Sequence, residues 1–272
     1  MTKKTAASVQ DGQVLTRYRL DDTEEAAASG VALYSITYGS QGLRVKGLLA
    51  VPGEGPHPGL LYCRGGIGRV GMVQPDKMVR IAKRGFTVFA PFYRGNEGGE
   101  GRDEFGGEDR YDVFHAVTLL LGLPEVRGKS VHVLGFSRGA MMALAAAARC
   151  SGIASCAVWG GVSDLRLTYE ERVELRRMLK RVVGHPDKAA EAYAARSPVC
   201  WAQDVRTPVL VIHGTADDNV GVEHAYRLGA ALESAGKQYT MAVYEGRGHV
   251  FLPAYEEETL AMMAAWMKAH GT

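Results

Sequence analysis

The residues Gly135-Phe136-Ser137-Arg138-Gly139 spell GxSxG. They stand between an apolar run ending in VHVLGF and the Ala-rich run AMMALAAAARC. Read as a strand followed by a helix, this places Ser137 on a tight hinge with its hydroxyl projecting from the sheet edge. The flanking glycines let such a turn pack closely. The helix N-terminus behind it favours negative charge developing at the same spot. The chemistry implied is nucleophilic attack by a serine. The bland alternative is a helix N-cap serine in an ordinary turn.

A serine hydroxyl is a weak nucleophile and needs a base, itself oriented by a carboxylate. Of eight histidines, His249 has the right position, in the loop Glu245-Gly246-Arg247-Gly248-His249 after an apolar strand at 240–244. Sites of α/β proteins form in loops at the carboxyl ends of parallel strands. His213 also ends a strand, but Gly214 follows at once, and its expected role is to pack that turn. The acid is expected one strand earlier, where HGTADDNV offers Asp217 or Asp218. One of the pair would orient the histidine and the other would serve turn chemistry. The order serine, aspartate, histidine is that of an α/β-hydrolase triad. An oxyanion hole would draw one backbone N–H from Arg138 and another from the loop Arg64-Gly65-Gly66, with Gly65 the expected donor.

These residues need a scaffold, and the periodicity supplies one. Segments 31–38 and 43–51 read as an antiparallel pair joined by a turn at 39–42. Short apolar strands at 59–63, 86–90, 131–136, 154–159, 209–213 and 240–244 then alternate with helical segments. That pattern predicts an α/β fold whose mostly parallel mixed sheet is covered by helices on both faces. Residues 1–30 read as a polar N-terminal extension with one helical piece, and 31–272 as the catalytic domain. Residues 163–203, charged and helical, are too long for a plain crossover and read as a solvated helical excursion or, functionally, as a cap over the pocket. Its apolar positions Val173, Leu175, Met178, Leu179, Val182 and Val183 need an apolar partner.

The chain has 272 residues, with 46% hydrophobic and 23% charged, which excludes a disordered chain, a collagen and a coiled-coil rod. The net charge of +2, with signs well mixed, gives no footprint for nucleic acid. Four cysteines at 63, 150, 156 and 200 form no CxxC and are expected to be reduced and mostly buried. No metal site or cofactor is expected. The N-terminus lacks an apolar signal-peptide core, and no apolar stretch reaches 18 residues, so the expected address is the cytoplasm and no membrane partner is expected. Homo-oligomerisation stays open.

Beyond the triad spacing, GFSRG at 135–139, HGTADDNV at 213–220, GRGHVF at 246–251 and APFYRGNEGGEG at 90–101 together resemble the catalytic domain of the prolyl oligopeptidase-type (peptidase family S9) α/β-hydrolases. The stretch AYAARSPVCWAQDVRTPVLVIHG at 192–214 is similar to the family's approach to the acid strand. The resemblance runs from about Ser35 to the C-terminus and implies an α/β-hydrolase fold. It implies Asp217 as the acid, with Asp218 structural. Two features depart from the family. Only about 35 residues precede the core, so no β-propeller is expected. Arg64 stands where members often carry Tyr or His. Arg64 could donate to the oxyanion, bind a substrate carboxylate or be an ion-paired structural arginine. It is carried forward with Arg94 as a substrate-binding candidate.

The expected function is a serine hydrolase acting on small peptides or amides. A carboxylesterase or thioesterase-type acyl hydrolase is the alternative, and a non-catalytic binding protein on the same fold a more distant one. Gly66-Ile67-Gly68-Arg69-Val70-Gly71 is also a literal GxGxxG after a strand. A dinucleotide site would need a helix starting inside that motif, yet Pro75 falls where the helix should be running, and the next strand ends in APFYR without an acid.

Overall fold

The computed structural model describes residues 9–21 and 23–271. Residues 1–8 and Asp22 of the expected extension, and Thr272, lie outside the described residues. The strands are β1 (Val14–Arg19), β2 (Ala32–Ser40), β3 (Leu43–Val51), β4 (His57–Cys63), β5 (Thr87–Pro91), β6 (Val126–Phe136), β7 (Ile153–Trp159), β8 (Val209–Gly214) and β9 (Tyr239–Tyr244). The helices are α1 (Glu24–Ser29), α2 (Pro75–Ala82), α3 (Arg110–Leu121), α4 (Gly139–Arg149), α5 (Leu165–Glu171), α6 (Arg176–Val182), α7 (Ala190–Ala194), α8 (Glu223–Ser234) and α9 (Pro253–Ala269).

All nine strands form one sheet in the order β1-β2-β3-β5-β4-β6-β7-β8-β9. The first three are antiparallel, β3 pairs antiparallel with β5, and from β5 to β9 the neighbours run parallel. The expected mixed sheet is therefore what forms. The β2–β3 hairpin turns through Gln41 and Gly42, both at positive φ (49° and 76°), the geometry that suits a right-twisted pair. One strand differs from the sequence expectation. Val14–Arg19, which the sequence places in a polar extension, is the edge strand β1. Its polar Thr16, Arg17 and Arg19 hide the alternation. What holds it is lateral pairing with β2, plus Arg17, which lies 3.9 Å over the Tyr34 ring and pairs with Glu125 at 2.7 Å.

Alternating residues of each central strand feed two cores. Leu61, Val133, Val209 and Val211 pack on one face with α3, α4 and α8. Leu60, Leu134, Leu210 and Ile212 pack on the other with α1, α2 and α9. Chain direction reverses around β4, because the chain leaves β4 toward β5 but leaves β6 toward β7. The helices that follow β4 and β6 go to opposite faces of the sheet, beside a crevice at the carboxyl ends of the strands.

The excursion between β7 and β8 carries α5, α6 and α7 with short 3-10 turns. Leu165 and Leu179 anchor it in the α3–α4–α8 core, whereas Val173 is 64% exposed. The cysteines are free. Cys63 and Cys156 are buried, but Cys200 is exposed on this excursion.

Candidate active site

The GxSxG forms the turn from β6 into α4. Ser137 sits at φ 55°, a left-handed conformation that costs a non-glycine residue on the order of 1 kcal/mol or more. Three backbone hydrogen bonds hold it there. Its N–H donates to the Trp159 carbonyl (3.0 Å), and its carbonyl accepts from Ala140 (3.0 Å) and Val162 (3.1 Å). The glycines are required by contact. A Cβ at Gly139 would lie 2.0 Å from the Cys63 carbonyl oxygen, and one at Gly135 would lie 2.4 Å from the Gly139 carbonyl oxygen.

The loops after β8 and β9 are strapped together. Ala216 N–H donates to the Arg247 carbonyl (2.9 Å), Thr215 N–H to the Tyr244 carbonyl (3.0 Å) and Gly246 N–H to Thr215 Oγ1 (2.8 Å). This brings His249 Nδ1 to 2.7 Å from Asp217 Oδ2. The other oxygen, Oδ1, accepts from the N–H groups of Asn219 and Val220, each at 2.8 Å. Burial alone would raise the Asp217 carboxyl, but the bond from His249 and the two backbone donors outweigh it and hold the pKa below the usual carboxylate value. Asp218 is exposed. His213 is buried, and its Nε2 faces the Val220 carbonyl at 2.8 Å. Phe136 packs against the His249 ring at 4.8 Å. Gly160, at φ 53°, backs the pair, and a Cβ there would stand 3.1 Å from His249 Nδ1 and 3.2 Å from Asp217 Oδ2.

Gly65 abuts Ser137, and among the described residues neither the Gly65 nor the Arg138 backbone N–H donates to a protein acceptor. The segment 65–71 is a glycine-rich turn, with Gly66, Gly68 and Gly71 at positive φ, and the next helix, α2, starts only at Pro75. The GxGxxG is therefore a loop of this crevice. Two buried arginines hold it. Arg64 donates to the carbonyls of Gly65 (2.9 Å), Val70 (3.2 Å), Gly68 (3.3 Å) and Phe92 (2.9 Å) and pairs with Asp103 at 3.6 Å. Arg138 donates to the Gly66 carbonyl (2.7 Å) and pairs with Asp103 (2.9 Å) and Asp109. Burial pushes the Asp109 carboxyl up to about 6 against the pull of Arg138.

Both arginine candidates face protein groups. The Arg64 side chain is fully buried, with its donors turned to main-chain carbonyls. Arg94 is also buried, bonded to Asp112 at 2.8 Å and to Gln41, and does not line the crevice. Both organise loops. Neither role could be read from residue type, because a guanidinium serves a ligand or a carbonyl equally well.

A cavity of about 400 Å³ opens over Ser137 and His249. Gly65, Gly66, Ile67 and Val70 form one wall, and Thr168, Arg172, Leu175 and Met178 of the excursion form another. Lys77 and Phe136 also line it, and sequence reading singled out neither. Lys77 lies on an amphipathic helix whose charged residues all look like solvated surface. Among the described residues no group of three or more His, Cys, Asp or Glu could hold a metal ion. Chemically, the arrangement offers a strained serine, a carboxylate-bound imidazole and unpaired backbone donors around one cavity.

Comparison with known proteins adds the following. The prolyl oligopeptidase family's sequence model matches residues 74–271. The uncharacterized peptidase YtmA of Bacillus subtilis (strain 168) is 48% identical over 241 residues, covering 88% of this chain and 94% of that one. The fold is similar to Pyrococcus horikoshii acylaminoacyl peptidase at a TM-score of 0.76 and 20% identity, covering 87% of this chain but only 41% of that one. It is also similar to acetyl xylan esterase from Paenibacillus sp. R4 at a TM-score of 0.73 and 19% identity, covering 94% and 88%.

Proposed function

The chain belongs to the prolyl oligopeptidase family, and from that premise we propose that it is a serine hydrolase that cleaves short peptides or amides through an acyl-enzyme. One observation carries the reading: His249, held by Asp217 at 2.7 Å, shares a single cavity with Ser137. Ser137 Oγ attacks the substrate carbonyl carbon while His249 Nε2 takes its proton. Asp217 keeps the other ring proton on Nδ1 and stabilises the imidazolium. The N–H groups of Gly65 and Arg138 receive the oxyanion. The leaving group departs with the proton from His249. Water then attacks the acyl-serine with the same imidazole as base, which frees the acid and restores Ser137.

The size of the cavity and the cover from 163–203 favour small substrates over folded proteins. Peptide cleavage is preferred because the 48%-identical relative is called a peptidase. Esters pass through the same acyl-enzyme and form the second class to assay. A fluorophosphonate should add its mass to Ser137. Ser137→Ala should fold normally and lose on the order of 10⁶ in kcat on aminoacyl amides or p-nitrophenyl esters. Labelling elsewhere, or more than about a tenth of activity surviving, overturns the reading.

A further inference from the structure

We infer that the cavity selects substrates carrying an anionic group, with Lys77 and Arg172 as the residues that recognise it. The inference rests on the acyl-transfer reading above and adds its substrate class. The charged side chains lining the cavity are Lys77, Arg138 and Arg172, with His249 beside them, and no described Asp or Glu lines it. Arg138 is matched by Asp103 and Asp109. Among the described residues, Lys77 shares its one carboxylate with Arg80, and Arg172 pairs only with the exposed Glu174.

Lys77 Nζ lies 4.6 Å from the centre of the Phe136 ring, and that ring packs on His249. Two further rings, Tyr62 and Trp159, stand 5.8 Å from the same ammonium. Its carboxylate neighbour, Glu256, is 3.4 Å away and also serves Arg80 at 3.2 Å. One carboxylate between two cations leaves net positive charge beside the site. Arg172 enters from the excursion. Its Nε reaches the exposed Glu174 and its Nη1 the Asn219 carbonyl, and Nη2 has no protein acceptor among the described residues. A carboxylate on the substrate would find a short charge-assisted bond at either cation. A free N-terminal ammonium would find no carboxylate on the walls. The aromatic rings around Lys77 reduce solvent screening there, so the preference should exceed that of a surface pair.

The test uses protection of Ser137 from a fluorophosphonate by three competitors of equal length: hexanoate, hexanamide and hexylammonium. Hexanoate should protect at roughly a tenth of the concentration hexanamide needs. Hexylammonium should be weakest, and added salt should narrow the gap. Lys77→Met should bring the hexanoate-to-hexanamide ratio toward one, and Lys77→Arg should restore it. Arg172→Gln, on a more exposed residue, should also lower the ratio and serves if Lys77→Met does not fold. Equal protection by hexanoate and hexanamide in the native protein overturns the inference. So does stronger protection by hexylammonium, or a ratio unmoved by the folded variants. If Ser137 takes no label at all, the acyl-transfer reading fails and this inference with it. Normal labelling without a carboxylate preference overturns this inference alone.

Discussion

A Cβ on Gly65 would stand 2.8 Å from the Cβ of Ser137 and 3.3 Å from its hydroxyl oxygen. The loop after β4 and the turn after β6 therefore touch at the Ser137 side chain, and the absence of one side chain sets how close the proposed donor comes.

Gly65 lies outside the left-handed region, so alanine suits its backbone. Gly65→Ala should keep the fold at a cost in thermal midpoint, because the methyl overpacks against Ser137. The extra methyl must move the Gly65 N–H or Ser137, and displacement of an oxyanion donor costs on the order of 10²-fold in kcat. Equal kcat in the variant and native enzymes would show that Gly65 is a packing residue only.

Asp217 and Asp218 should separate cleanly. Asp217→Asn leaves His249 in the wrong tautomer and should cost roughly 10⁴-fold in kcat. Asp218 is exposed, so Asp218→Asn should change kcat by less than about threefold. Reversed behaviour of the two variants would move the acid by one residue.

Arg138 joins stability to the site, since one guanidinium holds the Gly66 carbonyl, Asp103 and Asp109. Arg138→Met strands the fully buried Asp109 and leaves Asp103 with Arg64 as its remaining cation, and removing one partner of a buried ion pair costs about 3–5 kcal/mol. Urea unfolding should show that loss, and kcat should fall although the backbone N–H at position 138 remains. A loss below about 1 kcal/mol would show that the cluster relaxes without its arginine.

Two buried histidines should make the protein acid-sensitive. Burial lowers His132 and His224 to about 4. Ser163 donates its N–H to His224 Nδ1 at 3.2 Å, a bond that needs that nitrogen unprotonated. Because the folded pKa lies below the unfolded value, the unfolded chain binds more protons between the two. Stability is thus fully present above about pH 6.5, falls as pH drops toward about 4 and then levels off with respect to these groups. Each histidine should contribute on the order of 1–2 kcal/mol to the loss between about pH 7 and 5. Urea midpoints across that range test it. His224→Gln should show a shallower slope, and an identical slope would remove His224 from the account.

The separation between sequence and structure follows from which information is local. Strand and helix periods, the hinge glycines around Ser137 and the order of Ser137, Asp217 and His249 lie along the chain, so they predict the sheet and the strand ends that carry each residue. Even there, β1 carries no strand signal of its own, because an edge strand with polar Thr16 and Arg17 is held by its neighbour β2 and not by its own pattern. The residues alone leave Asp217 and Asp218 one position apart, and the fold of the 213–220 turn directs the Asp217 carboxylate to His249 and leaves Asp218 exposed. The sequence likewise could not assign Arg64, Arg94 or Lys77, since a long cationic side chain reaches whatever the tertiary structure sets beside it. Packing surrounds Arg64 with carbonyls and Arg94 with Asp112, and it places Lys77 over Phe136 at the cavity wall. Burial and proximity are properties of contacts between distant segments, and those exist only once the chain has folded.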